Sequence, residues 1–146
     1  MTAGLIACVV VLGAATAVGL DWRRRQGRLR ASGQERVTET ELGQPLGARA
    51  TLVQFSTAFC APCRATRRVL AEVAGMTDGV AHVEIDAEAH LDLVRQLDIY
   101  RTPTVLVLGP EGFVARRASG QPRKADVIAA LGEAVLAPRG RPPGER

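Results

Sequence analysis

The chain has 146 residues, 47% of them hydrophobic, which is enough for one modest domain with its own core. Its formal net charge is +4, but residues 45–137 contain ten basic and ten acidic side chains, so this part of the chain is neutral. The sequence shows no basic stripe interleaved with aromatic residues, and we therefore expect no nucleic-acid partner.

The first 20 residues contain no charged side chain and are long enough to cross a bilayer as a helix. Trp22 follows as a candidate interface anchor, and five arginines follow Trp22 within residues 23–30. We predict a transmembrane anchor over residues 1–20 and a basic juxtamembrane linker over residues 21–44 that contacts anionic lipid. The alternative is a cleavable signal peptide, which would normally have a basic region before its apolar run.

The same arginines predict the orientation of the anchor. Basic residues close to a membrane-spanning segment favour the cytoplasmic side. We therefore predict a single-pass protein of the cell membrane whose domain faces the cytoplasm. The alternative is an extracytoplasmic domain.

Hydrophobic patterns predict the remaining elements in chain order. A short strand is possible near residues 36–42. The later strands and helices follow in the order strand 51–57, helix 61–75 or 61–79, strand 80–87, helix 88–99, strand 104–109, strand 113–119 and helix 124–136. The last helix should face the core with Val127, Ile128, Leu131, Val135 and Leu136. This order predicts an α/β fold with a mixed sheet covered by helices on both faces. The tail over residues 138–146 should be disordered.

Cys60 and Cys63 lie between a predicted strand and a predicted helix. A structural zinc site needs four ligands, and the only histidines, His82 and His90, lie on separate elements, so we expect no metal. A structural disulfide across two residues closes a very small loop and stabilises little. A reactive dithiol fits best, because the helix N-terminus favours a Cys60 thiolate, and Cys63 is close enough to resolve the mixed disulfide.

The segment 55–64, FSTAFCAPCR, resembles the active-site segment of thioredoxins, and residues 83–121, including Thr102–Pro103–Thr104, resemble the rest of that fold. The resemblance covers roughly residues 45–137, which we predict to be a thioredoxin-like domain. It implies a cis bond at Pro103, with Thr102 offering backbone hydrogen bonds to an extended substrate. It also implies dithiol–disulfide exchange with protein substrates and no bound cofactor.

Several positions depart from the thioredoxin pattern. Phe59 and Ser56 stand where thioredoxins usually carry tryptophan, and Arg64 replaces a common lysine. The usual buried carboxylate is replaced by Gln54, which cannot titrate, and the usual facing lysine is replaced by His82. His82 is a candidate to accept the Cys63 proton, although a half-buried strand residue without a role is the favoured interpretation. Arg64 is a candidate to support the Cys60 thiolate, or an ordinary solvated helix residue.

These observations favour a membrane-anchored thiol–disulfide oxidoreductase that acts as a reductase and receives electrons from an unidentified donor. One alternative is an extracytoplasmic anchored reductase of exported proteins or apocytochromes. Another is a binding module that uses the thioredoxin groove without turnover.

Overall fold

The structure is a computed structural model that describes residues 2–32 and 35–136, so the tail over residues 138–146, predicted to be disordered, lies outside the described residues. The elements in chain order are α1 (Thr2–Arg25), β1 (Arg30–Ala31), α2 (Glu39–Leu42), β2 (Ala50–Ser56), α3 (Ala61–Gly75), β3 (Val80–Asp86), α4 (Leu91–Gln96), β4 (Thr104–Leu108), β5 (Val114–Ser119) and α5 (Lys124–Leu136).

The five strands form one mixed sheet in the order β1-β5-β4-β2-β3. Strands β2 and β3 are parallel, because α3 carries the chain back between them, and the other neighbouring strands are antiparallel. The predicted α/β sheet is therefore confirmed.

Side chains that alternate along the strands form two apolar layers, one on each face of the sheet. One layer packs under α2 and α4 and contains Val53, Phe55, Val83, Ile85, Leu106 and Leu108. The other packs under α3 and α5 and contains Leu52, Leu70, Val105, Val107, Val127 and Leu131. Helices thus cover both faces, as the sequence predicts.

The N-terminal helix α1 stands apart from this core. Its segment Ile6–Arg25 is long and apolar enough to cross a membrane, and none of that segment is buried in the protein. The helix continues through the first three arginines to Arg25 and so extends beyond the predicted anchor over residues 1–20. It is a candidate membrane span by length and composition.

Three local predictions were wrong. Residues 36–42 form an isolated bridge at Arg36 followed by the short helix α2, because Thr38 and Glu41 make a capping box that starts a helix. Helix α4 is shorter than predicted and leaves Leu91 exposed. In α5, Ile128 and Leu136 are 43% and 83% exposed. Val127 faces the core, and because consecutive residues of a helix point in different directions around its axis, the neighbouring Ile128 points away from the core.

Candidate active site

The two cysteines lie at the N-terminus of α3, directly after β2. Cys60 is the N-cap residue and is partly exposed, and Pro62 occupies the first turn. Cys63 is one turn further along and only 2% exposed. The two sulfurs form a disulfide in this structure. The accessible sulfur at the helix start can meet another disulfide, whereas the enclosed sulfur can reach only its partner.

The loop before β4 lies against the segment that carries the dithiol. Its Thr102–Pro103 bond is cis, in agreement with what the resemblance implies. The hydroxyl groups of Thr57 and Thr102 are 3.2 Å apart and hydrogen-bonded, which ties this loop to the residues just before Cys60. On the other side, the Gly120 N–H donates to the Pro103 carbonyl at 2.7 Å. The structure therefore brings Thr102 and Pro103 together with the dithiol.

Gln54 lies directly beneath Cys63 and is completely buried. Its Nε2 donates two hydrogen bonds of 2.8 Å, one to the Cys63 carbonyl and one to Ser56 Oγ. Its Oε1 is also buried and has no hydrogen-bond partner among the described residues. A buried carbonyl oxygen without a partner is costly, so this atom is suited to accept a hydrogen bond from a thiol or a water.

The sheet places His82 and Glu84 on the same face as Gln54, because Gln54 is paired with Glu84 and Leu52 with His82 in the parallel β2–β3 register. Burial lowers the pKa of His82 below 6.5, and its buried Nε2 has no hydrogen-bond partner among the described residues. Within the described part of the chain, no hydrogen bond joins His82 to Gln54 or to either cysteine. His82 is therefore near the site but not in direct contact through a hydrogen bond.

Glu84 belongs to a polar group that sequence reasoning did not identify. Burial raises the pKa of Glu84, but hydrogen bonds from Arg67 and Ser56 outweigh this effect, and the pKa lies below its ordinary value. Arg67 Nε is 2.6 Å from a Glu84 carboxylate oxygen. The signal in the sequence was Ser56, which stands where thioredoxins usually carry tryptophan, and which links Gln54 to Glu84.

Arg64 and two aromatic residues lie on the outer surface around the dithiol. Arg64 is exposed and makes no salt bridge within residues 2–32 and 35–136. Phe59, next to Cys60, is 100% exposed, and Tyr100, in the loop before Pro103, is 88% exposed. Exposed aromatic side chains beside a reactive group offer apolar contact to a bound polypeptide.

Comparison with known proteins agrees with this geometry. The family model described as thioredoxin matches residues 35–133. The thioredoxin of Staphylococcus saprophyticus is 27% identical over 96 residues, covering 64% of this chain and 92% of that protein. The thioredoxin of Mycolicibacterium smegmatis is 29% identical over 91 residues, covering 60% and 80% respectively.

Solved structures give the same result. Chloroplastic thioredoxin z superimposes with a TM-score of 0.55 at 28% identity, covering 62% of this chain and 81% of that chain. A mutant thioredoxin from Halobacterium salinarum gives a TM-score of 0.56 at 20% identity, covering 62% and 79%, which shows the shared fold. The fold and the Cys60–Cys63 pair support thiol–disulfide oxidoreductase activity. Since the family match spans more than half of the sequence, the chain belongs to the thioredoxin family.

Proposed function

We propose that the protein is a membrane-anchored oxidoreductase that reduces protein disulfides from the cytoplasmic side of the membrane. The observation that carries this proposal is the asymmetry of the dithiol. Cys60 is accessible at the N-terminus of a 15-residue helix, and Cys63 is enclosed one turn later. Backbone N–H groups and the helix dipole favour the thiolate of Cys60, which makes it the nucleophile.

The reaction has two exchange steps that balance in atoms and electrons. The Cys60 thiolate attacks one sulfur of the substrate disulfide, which forms a mixed disulfide and releases the first substrate thiolate. Cys63 then loses its proton and attacks the Cys60 sulfur, which releases the second substrate thiolate. The substrate gains two electrons and the Cys60–Cys63 pair loses them, so a separate reductant must restore the dithiol.

Substrate binding is assigned to the cis-proline loop. An extended substrate segment pairs with the Thr102 backbone beside Pro103, in the manner of an added strand. The exposed rings of Phe59 and Tyr100 supply apolar contact on either side. Arg64, exposed on the first turn of α3, adds positive charge that favours the thiolate.

Proton transfer from Cys63 uses a different arrangement from the usual buried carboxylate. Gln54 Oε1 accepts a hydrogen bond from the Cys63 thiol or from a water, but it cannot take the proton. His82 accepts the proton through that water, since its imidazole is neutral at neutral pH and its Nε2 has no hydrogen-bond partner among the described residues. The burial that lowers its pKa keeps the ring neutral and also makes it a weaker base than a free histidine. This role is separable from the attack by Cys60.

Anchoring and orientation rest on α1 and the arginines after it. The exposed apolar side chains of this helix need a lipid environment, and positive charge at its C-terminal end favours the cytoplasmic side. In the reducing cytoplasm the resting state is the dithiol and the net direction is reduction. If the domain were extracytoplasmic, it would act in the opposite compartment, but the exchange chemistry would be the same.

The test is a trapping experiment with the full-length Cys63→Ser variant. We expect it to accumulate mixed disulfides with proteins in the carbonate-washed membrane pellet, since Cys60 can attack but nothing resolves the product. The matched control is Cys60→Ser, which should trap nothing. Absence of adducts, together with no reduction of insulin by the wild-type protein, would favour the binding module instead. Impermeant labelling of single introduced cysteines, in a chain lacking Cys60 and Cys63, then reports which side the domain occupies.

A further inference from the structure

A cavity of about 510 Å³ lies where the C-terminal end of α1 meets the sheet, apart from the two cysteines. Its walls come from three parts of the chain: the end of α1, the segment from Gln26 to Ser32 that includes β1, and three later residues, Arg101, Arg117 and Ser119. Five of the lining residues are arginines, namely Arg25, Arg28, Arg30, Arg101 and Arg117. Trp22 also lines it, and no acidic residue does.

The positive charge in this cavity is only partly neutralised. Arg25 is paired with Asp21, and Arg117 is paired with Glu35. The other three arginines have no carboxylate partner within residues 2–32 and 35–136. The cavity therefore concentrates uncompensated donors that suit a phosphate group.

Backbone contacts fix the connection directly after α1 against the domain. The Gly27 N–H donates to the Ser119 carbonyl at 2.9 Å. Gly27 has a positive φ of 74°, and a Cβ there would lie 2.0 Å from the Gln121 carbonyl oxygen, so the close approach requires glycine. Trp22 and the arginines are thus held at a defined place beside the sheet. If α1 spans the bilayer, that place is the level of the lipid head groups.

The cavity lies at the same end of the sheet as the dithiol. Ser119 ends β5, and the next residue, Gly120, donates its N–H to the Pro103 carbonyl. Arg101 lies in the same loop, where its own carbonyl accepts a hydrogen bond from the Thr104 hydroxyl at 2.7 Å. A ligand bound by Arg101 therefore contacts the loop that flanks the dithiol.

We infer that this cavity binds the phosphate head group of an anionic phospholipid, and that the bound lipid holds the dithiol end of the domain at the bilayer surface. The inference rests on the proposed membrane anchor. The unpaired arginines supply hydrogen bonds and charge to the phosphate, and the Trp22 ring packs beside the glycerol region, as tryptophan does at membrane interfaces.

Trp22 is the single tryptophan of the chain and lines the cavity, so its fluorescence reports on the site. Full-length protein is placed in phosphatidylcholine nanodiscs that contain the same minor fraction of either brominated phosphatidylglycerol or brominated phosphatidylcholine. Bromine on the acyl chains quenches a nearby indole. We expect the phosphatidylglycerol form to quench Trp22 more strongly than the phosphatidylcholine form, because it is enriched at the cavity.

The test variant is Arg28→Gln/Arg101→Gln, and the matched control is Arg23→Gln/Arg24→Gln. The control removes the same amount of charge from the basic run that contains Arg28, but neither of its residues lines the cavity. Both variants lose the same general attraction of two arginines to an anionic surface, but only the test variant loses charge-assisted hydrogen bonds to the phosphate, each of which contributes about tenfold or more to binding. The test variant should therefore bind phosphatidylglycerol at least about tenfold more weakly than the control. In the control variant, brominated phosphatidylglycerol should still quench Trp22 more strongly than brominated phosphatidylcholine does. Single Arg28→Gln and Arg101→Gln variants, checked for folding by circular dichroism, guard against a misfolded double variant.

Three results would overturn the inference. Equal quenching by the two brominated lipids would exclude a selective site, and equal loss in test and control variants would mean that the basic run acts without a cavity. The third result is that inorganic phosphate abolishes the stronger quenching by brominated phosphatidylglycerol, whereas chloride of the same ionic strength does not. That result would mean that the cavity prefers free phosphate to the lipid head group. Absence of quenching by either lipid would instead contradict the anchor itself, so the two failures are distinguishable.

Discussion

Replacing Gln54 with aspartate should make the stability of the domain depend on pH in a calculable way. Gln54 is completely buried beneath Cys63, so a carboxyl group there loses its hydration. Full burial raises the pKa of an aspartate carboxyl from about 3.9 to about 7. The matched control is Gln54→Asn, which has the same size as the aspartate and loses the same two Nε2 hydrogen bonds but cannot ionise.

The sign follows from the raised pKa. The folded state prefers the protonated acid, so the aspartate variant matches the asparagine variant below about pH 4 and loses stability as pH rises through the folded pKa. A tenfold change in an acid dissociation constant corresponds to about 1.4 kcal/mol, so the aspartate variant should be about 4 kcal/mol less stable than the asparagine variant at about pH 8. Below about pH 4 both should be about 1–3 kcal/mol less stable than wild type, from the lost hydrogen bonds.

The measurement is thermal or urea unfolding of the full-length variants in neutral detergent, followed by far-ultraviolet circular dichroism across this pH range. Parallel stability profiles for Gln54→Asp and Gln54→Asn would refute the reasoning, because they would place the carboxyl group in water. A second measurement uses dithiobis(nitrobenzoate) on the reduced protein in a Cys8→Ser background, because Cys8 in α1 is an exposed free cysteine that would also react. Release of the second thionitrobenzoate reports attack by Cys63, and it should be faster with aspartate than with asparagine above about pH 7, where the introduced carboxylate can take the proton.

Three further predictions concern the thiols and the histidine. Cys60, at the helix N-terminus, should be alkylated by iodoacetamide faster than Cys63 at neutral pH and should lose reactivity at lower pH than an ordinary thiol. Faster labelling of Cys63, read by peptide mass spectrometry, would reverse the assignment. His82→Ala should slow release of the second thionitrobenzoate below about pH 8 and leave the first release unchanged, and identical rates would leave solvent as the base. Burial lowers the pKa of His82, so the folded state favours the neutral imidazole. The resulting stability is fully present above pH 6.5 and is lost as the pH falls toward the pKa in the folded state. The His82→Gln variant should not lose stability in this way on acidification.

The sequence predicted many features that depend on neighbouring residues, although the local capping box of Thr38 and Glu41 was missed. The strand before Cys60 and the helix after it follow from local hydrophobic pattern and from Pro62, which fits the first turn of a helix. The bounds predicted for α5 agree with Lys124–Leu136, because a continuous helical period marks them. The position of the dithiol between a strand and a helix is therefore a consequence of local sequence alone.

Apart from the Thr102–Pro103 loop, which the resemblance implied, features that depend on contacts between distant segments were not predicted. Ser56 and Glu84 come together only because β2 and β3 are parallel neighbours, and nothing near either residue in the sequence indicates the other. In the arginine-lined cavity, Arg28 and Arg101 come together because the connection between α1 and β1 packs against the end of β5. Likewise, the exposure of Ile128 depends on which side of α5 packs on the sheet. The sequence of α5 does not determine that side, because apolar residues lie on several sides of the helix.

The short connection between α1 and the sheet determines how an anchored protein would meet its substrates. Only four residues separate Arg25 from Arg30, a reach of about 14 Å even when fully extended. The domain could then search only a thin layer next to the bilayer, and collisions with disulfides of other membrane proteins would occur in two dimensions at high local concentration. Dissolved disulfides would have to diffuse to that layer first. Under this geometry, the depth at which a disulfide is displayed would select substrates more strongly than the residues around it.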